Sequence, residues 1–228
     1  MKCRSLLIAA CVMMGGMPVL SGCEGFPFKQ KPVEYQDVGI IQLKDRLVPA
    51  EVRLVKGVPA RLHIMDGTGS PATRLRISVL NKDVEVTAGA GSTVTLDAEQ
   101  VAKLDGATLS GEAGRGAVRF AVVADKRGLR VAPKGGKVEL AVVMTDQLAA
   151  PKQLTLVQGV PAVVYIMKSD SEAGFDTFQC EALGMKVAVK DREVQEMNWT
   201  PERPGTFVFI GTVTPDSQVT MVVIKSGS

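Results

Sequence analysis

The sequence has 228 residues, 46% hydrophobic and 4% aromatic, with 27 Lys and Arg against 24 Asp and Glu and a net charge of +3. This near balance, without a basic stripe interleaved with aromatic residues, argues against a nucleic-acid-binding protein. The apolar content suffices for one large core or two small ones. His63 is the single histidine, which restricts any metal or catalytic chemistry that needs imidazole.

The first 22 residues predict a secretory signal. Lys2 and Arg4 give a positively charged start, and the apolar run that follows is too short for a transmembrane helix. Residues 20–23, Leu-Ser-Gly-Cys, resemble the lipobox of bacterial lipoproteins, in which the cysteine becomes the lipidated first residue. The resemblance implies lipidation of Cys23, with palmitate among the acyl groups, and attachment to the bacterial cell envelope facing the periplasm. The alternative is an ordinary cleaved signal.

Residues 23–36 predict a short tether, which Pro27 and Pro32 stiffen. Glu24 follows the cysteine, and the absence of aspartate there favours the outer membrane, by resemblance to enterobacterial sorting. No later stretch approaches membrane-spanning length, so the lipid is the predicted membrane attachment. Beyond Cys23 the sequence contains one further cysteine, Cys180, which excludes an internal disulfide framework.

An internal repeat organises the rest of the chain. Residues 56–65 and residues 158–167 are identical at six of ten positions, including Gly-Val-Pro-Ala, at an offset of 102 residues. Pro49 and Pro151 obey the same offset. A period of this length indicates duplicated domains rather than a solenoid.

Both copies predict β-structure, because short alternating apolar segments are separated by glycine and proline. In chain order, the predicted strands of the first copy cover residues 74–80, 84–87, 92–96, 117–123 and 137–143, with one helix over residues 98–104. Those of the second copy cover residues 153–157, 162–166, 185–189, 194–199, 206–210 and 219–224. The sequence therefore predicts an all-β fold with two tandem Greek-key sandwiches, over residues 37–134 and 135–228.

The second copy carries a series of motifs that resembles a known family. Phe178-x-Cys180-x-x-Leu183-Gly184 is followed by residues 199–209, Trp-Thr-Pro-Glu-Arg-Pro-Gly-Thr-Phe-Val-Phe. These segments resemble the patterns F-x-I-x-x-L-G and F-x-P-x-x-P-G-x-Y-x-F of the cupredoxin-like domains in periplasmic iron-uptake and copper-related proteins. The resemblance covers residues 137–228. It extends more faintly over residues 39–132, through the repeat and residues 116–120, and implies two cupredoxin-like domains, the first degenerate.

The same resemblance places the copper-ligand positions on residues that do not suit copper. Asp176 stands where the first histidine is expected and Gly211 where the cysteine is expected. Residues 212–218 hold neither the downstream histidine nor the methionine, and Thr73 and Val122 occupy the corresponding places in the first copy. Type 1 copper needs two imidazoles and a thiolate, so the sequence predicts no copper and no other cofactor.

A different copper site remains as an alternative hypothesis. Thiolates and thioethers select Cu(I), which makes Cys180 and Met185 candidate ligands. Cys180 aligns with Ile77 at an alternating strand position, where a cysteine behaves as a small buried apolar residue, so core packing is the favoured interpretation. His63 aligns with Tyr165 and is interpreted as an amphipathic residue at the edge of a core.

No catalytic site is predicted, since the sequence shows no paired carboxylates and no nucleophile with a base. Asp170, Glu172 and Asp176 could supply oxygens to a hard cation, but their spacing matches no EF-hand and favours a solvated loop. The leading hypothesis is thus a non-catalytic, lipid-anchored binding or assembly module with a protein partner in the cell envelope. The alternatives are a copper-handling protein that binds Cu(I) through Cys180 and methionines, and an accessory subunit of a respiratory or iron-uptake complex.

Overall fold

The two copies of the repeat fold into two β-sandwiches that share one strand order. The computed structural model describes residues 34–111, 116–125, 136–145, 148–170, 174–213 and 217–226. Strands dominate the described residues, and the predicted all-β class with two sandwiches is confirmed. The predicted signal, Cys23, most of the tether and the predicted boundary at 134/135 lie outside the described residues.

The N-terminal sandwich contains nine strands among the described residues: β1 (Gln36–Gln42), β2 (Leu47–Val48), β3 (Glu51–Val55), β4 (Ala60–Asp66), β5 (Ala72–Ile77), β6 (Lys82–Thr87), β7 (Ser92–Leu96), β8 (Thr108–Gly111) and β9 (Ala117–Val123). Its inner sheet has the order β2-β1-β4-β7, and its outer sheet has the order β3-β9-β8-β5-β6. The chain therefore crosses from one sheet to the other after β2, β3, β4, β6 and β7, as in a Greek-key sandwich.

The C-terminal sandwich repeats this arrangement with nine described strands: β10 (Val138–Met144), β11 (Ala149–Ala150), β12 (Gln153–Val157), β13 (Ala162–Lys168), β14 (Phe175–Cys180), β15 (Met185–Lys190), β16 (Val194–Trp199), β17 (Gly205–Gly211) and β18 (Gln218–Ile224). The inner sheet is β11-β10-β13-β16 and the outer sheet is β12-β18-β17-β14-β15. Each strand occupies the place of its counterpart nine strands earlier, and the prolines at 49 and 151 both follow cis peptide bonds.

One helix, α1 (Ala98–Lys103), joins β7 to β8, where it was predicted. Asp97 is its N-cap: the carboxylate accepts from the Gln100 backbone N–H at 2.7 Å, and the Gln100 side chain accepts from the Asp97 N–H at 3.0 Å. This capping box satisfies two donors that a helix start otherwise leaves unpaired. The C-terminal sandwich has the proline-containing residues 200–204 at this place.

The predicted strand over residues 74–80 is too long. It ends at Ile77, and a 3-10 turn follows over Ser78–Leu80, after which Asn81 adopts a left-handed conformation at φ 48°. Strand β8 was missed, because its sequence Thr-Leu-Ser-Gly is short and mostly polar. Strands β1, β2 and β3 likewise have no counterpart among the strands predicted for the first copy, and the segment 137–143 assigned to that copy is β10 of the C-terminal sandwich.

The two cores have different chemistry. The N-terminal core is aliphatic apart from Phe120 and contains neither cysteine nor methionine. The C-terminal core is built around aromatic and sulfur-containing side chains, with aliphatic residues between them: Phe178, Phe207, Phe209, Cys180, Met144, Met197 and Met221. Phe178 and Phe209 stack with their ring centroids 5.2 Å apart, and Trp199 meets Phe207 edge-on at 5.4 Å.

A third apolar cluster, which we call the seam, joins the two inner sheets. It contains Ile41, Val48 and Met65 from the N-terminal sandwich and five residues from the C-terminal one: Ala141, Val143, Val163, Tyr165 and Met167. Ile41 and Val143 are equivalent by the repeat, as are Met65 and Met167, so the two copies contribute some corresponding positions to the seam. Strand β13 is buried along its whole length, as expected for a strand covered on both faces.

Residues from Val33 onward accordingly form one compact unit. Among the described residues no helix has the length and apolar character needed to cross a bilayer.

Candidate functional site

The end of the C-terminal sandwich where the copper ligands were expected is closed by internal hydrogen bonds. Asp176 lies near the start of β14 and is fully buried. Its Oδ1 accepts from the Thr177 N–H at 2.6 Å, the Val213 N–H at 2.9 Å and the Thr212 hydroxyl at 3.3 Å. The carboxylate therefore fastens the turn that follows β17 onto β14.

Gly211, at the place of the expected cysteine, pairs with Phe178 across β17 and β14. It offers no side-chain donor, and its N–H donates to the Ser217 carbonyl at 3.1 Å. Ser217 is fully buried and its hydroxyl donates to the Thr145 carbonyl at 3.4 Å. Of the stretch predicted to lack a ligand, residues 214–216 lie outside the described residues.

A buried lysine side chain lies at the same end of the C-terminal sandwich. Lys168, the last residue of β13, is fully buried, and its Nζ donates to Oδ1 of Asp191 at 3.0 Å. The Asp191 N–H in turn donates to the Gly174 carbonyl at 3.1 Å, two residues before Asp176. An ammonium group has three donors and no lone pair for a metal, so it ties these loops together instead.

In the N-terminal sandwich, different residues close the equivalent end. Thr73, at the place of Asp176, donates its hydroxyl to Oδ2 of Asp66 at 2.5 Å. Asp66, at the place of Lys168, is 2% exposed, and its Oδ1 accepts from the Thr68 N–H at 2.7 Å. In both copies, buried polar groups hold this end of the sandwich shut.

The prediction that Val122 corresponds to Gly211 was wrong. Gly111 pairs with Leu75 in the N-terminal sandwich just as Gly211 pairs with Phe178 in the C-terminal one. Residues 116–120, through which the resemblance was extended to the first copy, lead into and form part of β9, the counterpart of β18. The missed strand β8 shifted the predicted alignment by one strand.

The predicted Cu(I) ligands lie at the other end of β14. Cys180 is four residues from Asp176, which is about 13 Å along a strand. It is 2% exposed, belongs to the C-terminal core and is the cross-strand neighbour of Met185. Met185 is a partly buried residue that packs against the same core. This placement agrees with the core-packing interpretation.

His63 lies on β4 in a buried polar cluster. Its Nε2 donates to Oδ1 of Asp37 at 2.9 Å, and its Nδ1 lies 3.1 Å from the Thr93 hydroxyl. Arg61 adds a two-point contact to the Asp37 carboxylate at 2.8 and 3.0 Å. Burial alone would raise the pKa of Asp37, but the hydrogen bonds and charges of Arg61 and His63 outweigh it and lower that pKa below its usual value.

The equivalent position in the other sandwich holds Tyr165. Its hydroxyl accepts from Nη2 of Arg46, which belongs to the N-terminal sandwich, at 2.9 Å and donates to Oε1 of Glu139 at 3.3 Å. Burial and the neighbouring Glu139 charge raise the pKa of Tyr165. This cluster and the one around His63 border the apolar seam, so each sandwich contributes a polar group of its own to the junction.

The remaining predicted cation loop does not gather its carboxylates in the described residues. Asp170 is exposed and pairs with the Arg192 guanidinium, which lowers the pKa of that carboxyl. Asp176 is buried and committed to the turn after β17, and Glu172 lies outside the described residues. Within the described ranges, no three His, Cys, Asp or Glu side chains are placed to hold a metal ion.

Between the two sandwiches lies a cleft of about 500 Å³. Equivalent residue pairs from the two copies form its floor: Val38 with Leu140, Val52 with Leu154, Gly39 with Ala141 and Pro49 with Pro151. The rest of the lining includes residues 34–37, Glu51 and Arg53 from one copy and Lys152, Gln153 and Thr155 from the other. Sequence reasoning missed this cleft. The repeat contains the signal that could have found it, since the pairs that line it share the 102-residue offset.

Residues 118–223 match the family model of the cupredoxin-like domain. The chain contains a cupredoxin-like domain. The match spans nearly all of the C-terminal sandwich, which confirms the resemblance predicted for the second copy. No curated protein matches the sequence.

Solved structures with a similar fold include several copper proteins. The metal-binding domain of the Cu(I)-exporting P-type ATPase CopA of Streptococcus pneumoniae is 15% identical at a TM-score of 0.37, over 41% of this chain and 91% of that one. Auracyanin A, a blue copper protein of Chloroflexus aurantiacus, is 14% identical at 0.34, over 39% and 100%. The periplasmic domain of cytochrome oxidase subunit II of Bradyrhizobium japonicum is 10% identical at 0.34, over 42% and 89%.

The residues of this cupredoxin-like domain do not fit type 1 copper. The Asp176 carboxylate already accepts three hydrogen bonds, Gly211 lacks a side chain, and the sequence's one imidazole is held by Asp37 on the other sandwich. Type 1 copper requires two imidazoles and one thiolate in a trigonal arrangement. The end of the domain where copper ligands were expected is therefore closed by a hydrogen-bonded turn after β17.

Proposed function

We propose that this protein is a lipid-anchored, non-catalytic binding module of the bacterial cell envelope, in which the cupredoxin-like fold serves as a scaffold. The observation that carries the proposal is the replacement of the copper-ligand positions by groups with a structural task. Asp176 fastens the turn after β17, and Gly211 leaves no donor for a metal. When such a fold has no metal chemistry, its loops and sheet edges are the parts available to contact a partner protein.

The anchor is supported by the sequence of residues 1–23, which resembles a lipoprotein signal ending at Cys23. Lipidation would place the sandwiches at the membrane surface, close to a partner in the same envelope. A single acyl chain gives weak attachment, and several chains on one residue give stable attachment. The proposal places the protein on the periplasmic side, with the outer membrane favoured by Glu24.

The anchor is tested by expressing the full chain and its Cys23→Ser variant in a Gram-negative bacterium supplied with radiolabelled palmitate. We expect label on the full chain, which sediments with membranes, and neither label nor sedimentation for the Cys23→Ser variant. Chemical cross-linking in the same cells should give an adduct of defined mass with the anchored form. Equal solubility of both forms without label would contradict the anchor, and turnover of a substrate by the purified protein would contradict the binding role.

Two alternatives make different predictions. A copper-handling protein would bind Cu(I) through Cys180 and methionines, and Cys180→Ser would abolish the binding while leaving the fold nearly unchanged. An accessory subunit of a respiratory or iron-uptake complex would co-purify with that complex at constant stoichiometry, whereas a free-standing module would not.

A further inference from the structure

The cleft between the sandwiches is bordered by the edges of two sheets. A strand presents alternate residues to one face, so consecutive residues that line one cavity indicate that its edge is exposed there. Residues 51–53 and residues 152–155 are such runs. Residues 51–53 belong to β3 and residues 153–155 to β12, each the terminal strand of its outer sheet.

The register of β12 tells which of its backbone groups face the cleft. The Thr220 N–H donates to the Lys152 carbonyl at 2.9 Å, and the Gln158 N–H donates to the Ile224 carbonyl at 2.8 Å. In a parallel ladder every second residue makes these bonds, so Lys152, Leu154, Leu156 and Gln158 are directed to β18. The N–H and C=O groups of Gln153 and Thr155 are directed to the opposite side, which is the open edge.

The edge of β3 is treated differently. There the Gln36 side chain accepts from the Val55 N–H at 2.8 Å and donates to the Val55 carbonyl at 3.0 Å, as a neighbouring strand would. The counterpart of Gln36 in the other copy is Val138, whose side chain has no amide group. Gln36 thus covers the outward backbone groups of β3 at Val55, whereas the equivalent residue of β12, Val157, has no counterpart of this side-chain amide.

The floor of the cleft is suited to side chains from an extended chain. Val38, Val52, Leu140 and Leu154 are apolar, and Leu140 and Leu154 belong to the C-terminal core. Gly39 and Ala141 connect this floor to β1 and β10, the strands that meet in the seam. The cleft therefore continues an apolar interface that already joins two sheets.

We propose that an extended polypeptide segment of a partner protein adds to the edge of β12 in this cleft. Its backbone pairs with the N–H and C=O groups of Gln153 and Thr155, and its alternate apolar side chains pack on the floor. Donors and acceptors that recur every two residues along an edge match the period of an extended peptide, which is the basis of strand addition. This inference rests on the proposed binding role and names the class of partner.

A random decapeptide display library provides the probe. It is selected on residues 23–228 carrying Cys23→Ser, and the enriched peptides are measured by titration against this protein and its variants. Thr155→Pro removes the N–H that faces the cleft, a position where an edge strand tolerates proline. Thr220→Ala, on the neighbouring strand and outside the cleft, is the matched control. Thermal unfolding of each variant verifies that it is folded.

We expect peptides with alternating apolar residues that bind with micromolar affinity, and about tenfold weaker binding to Thr155→Pro, the effect of one lost hydrogen bond. Val38→Ala, which shortens a partly buried side chain of the floor without touching the edge amides, should also weaken binding. Amide hydrogen exchange at Gln153 and Thr155 should slow when peptide binds.

Four results would overturn the proposal. These are the failure to enrich any peptide, equal affinity for the parent protein and both cleft variants, dimerisation of the parent protein that Thr155→Pro abolishes, and peptide binding only after removal of residues 23–33. The third result would assign the edge to a second copy, and the fourth to the chain's own N-terminal segment. None of them touches membrane attachment or copper binding, so the proposed function is tested separately.

Discussion

The two sandwiches have the same strand order, but the side chains inside them differ in kind. The N-terminal core is almost wholly aliphatic, whereas the C-terminal core contains three phenylalanines, three methionines and a cysteine. At the ligand end, an Asp66–Thr73 pair in one copy corresponds to Lys168 and Asp176 in the other. The comparison teaches that strand order depends on apolar alternation and turn positions, and that the identity of the core residues can change around it.

The largest expected effect concerns the aromatic core. Phe209→Ala removes a fully buried ring that stacks on Phe178, and it should cost about 3–5 kcal/mol in the free energy of unfolding. Its counterpart is Leu109, which is buried in the aliphatic core, and Leu109→Ala should cost about 2–5 kcal/mol. Urea unfolding of both variants measures the difference. A loss below about 1 kcal/mol for Phe209→Ala would refute the stacked core.

A smaller effect is expected where the two copies meet. A Cβ on Gly39 would lie 2.6 Å from the Ala150 carbonyl oxygen and 2.8 Å from that of Ala141. Gly39→Val should therefore separate the inner sheets and cost about 1–3 kcal/mol. Calorimetry should resolve two transitions in this variant and one in the parent protein.

Gly111→Ala is the control for this experiment, because its new Cβ would meet Leu75 at an ordinary 3.5 Å. A single transition in Gly39→Val at the parental temperature would contradict the seam as a close backbone contact.

The polar cluster beside the seam predicts a pH dependence. The pKa of Asp37 is lowered, so its contribution to stability is complete above its usual value near 3.8 and is lost as the pH falls through the lower, folded-state pKa. Asp37→Asn should cost about 1–3 kcal/mol at pH 7, the range for hydrogen bonds to a charged group. The difference from the parent protein should shrink below pH 4. A difference that is constant from pH 7 to pH 2.5 would be the contrary result.

The smallest effect should come from the covered edge of β3. Gln36→Ala removes two hydrogen bonds from Val55 and should cost about 0.5–1.5 kcal/mol. Hydrogen exchange at the Val55 amide should become as fast as at Val157 on the other copy, because the two edges would then be alike. Unchanged protection at Val55 would mean that the side-chain amide does not cover this edge.

Several of these features could be predicted from the sequence, and the reason differs from one to the next. Asp97, with Gln100 three residues later, marks the helix start by local chemistry alone. Trp199, Phe207 and Phe209 belong to one recognisable sequence motif, and the structure brings the Trp199 ring against both phenylalanines. Strand β8 was missed because two of its four residues are hydroxyl-bearing and one is glycine.

The seam and the cleft could not be predicted from the same patterns. Their residues come from strands about 100 positions apart, and Ala141 and Val163 look like ordinary core residues along the chain. Only the way the inner sheets meet distinguishes a residue that faces its own sandwich from one that faces the other. Likewise, the open edge at Gln153 and Thr155 depends on which strand β12 pairs with, which apolar alternation does not specify.

The central claim is that the cupredoxin-like domain acts as a scaffold without copper, and a metal titration tests it most directly. Residues 23–228 carrying Cys23→Ser are titrated with Cu(I) and analysed for bound metal, beside variants with Cys180→Ser and Met185→Leu. The account predicts no stoichiometric binding tighter than about micromolar in any of them. One equivalent of copper bound more tightly than this, and lost in the Cys180→Ser variant, would contradict the account and assign the protein to copper handling.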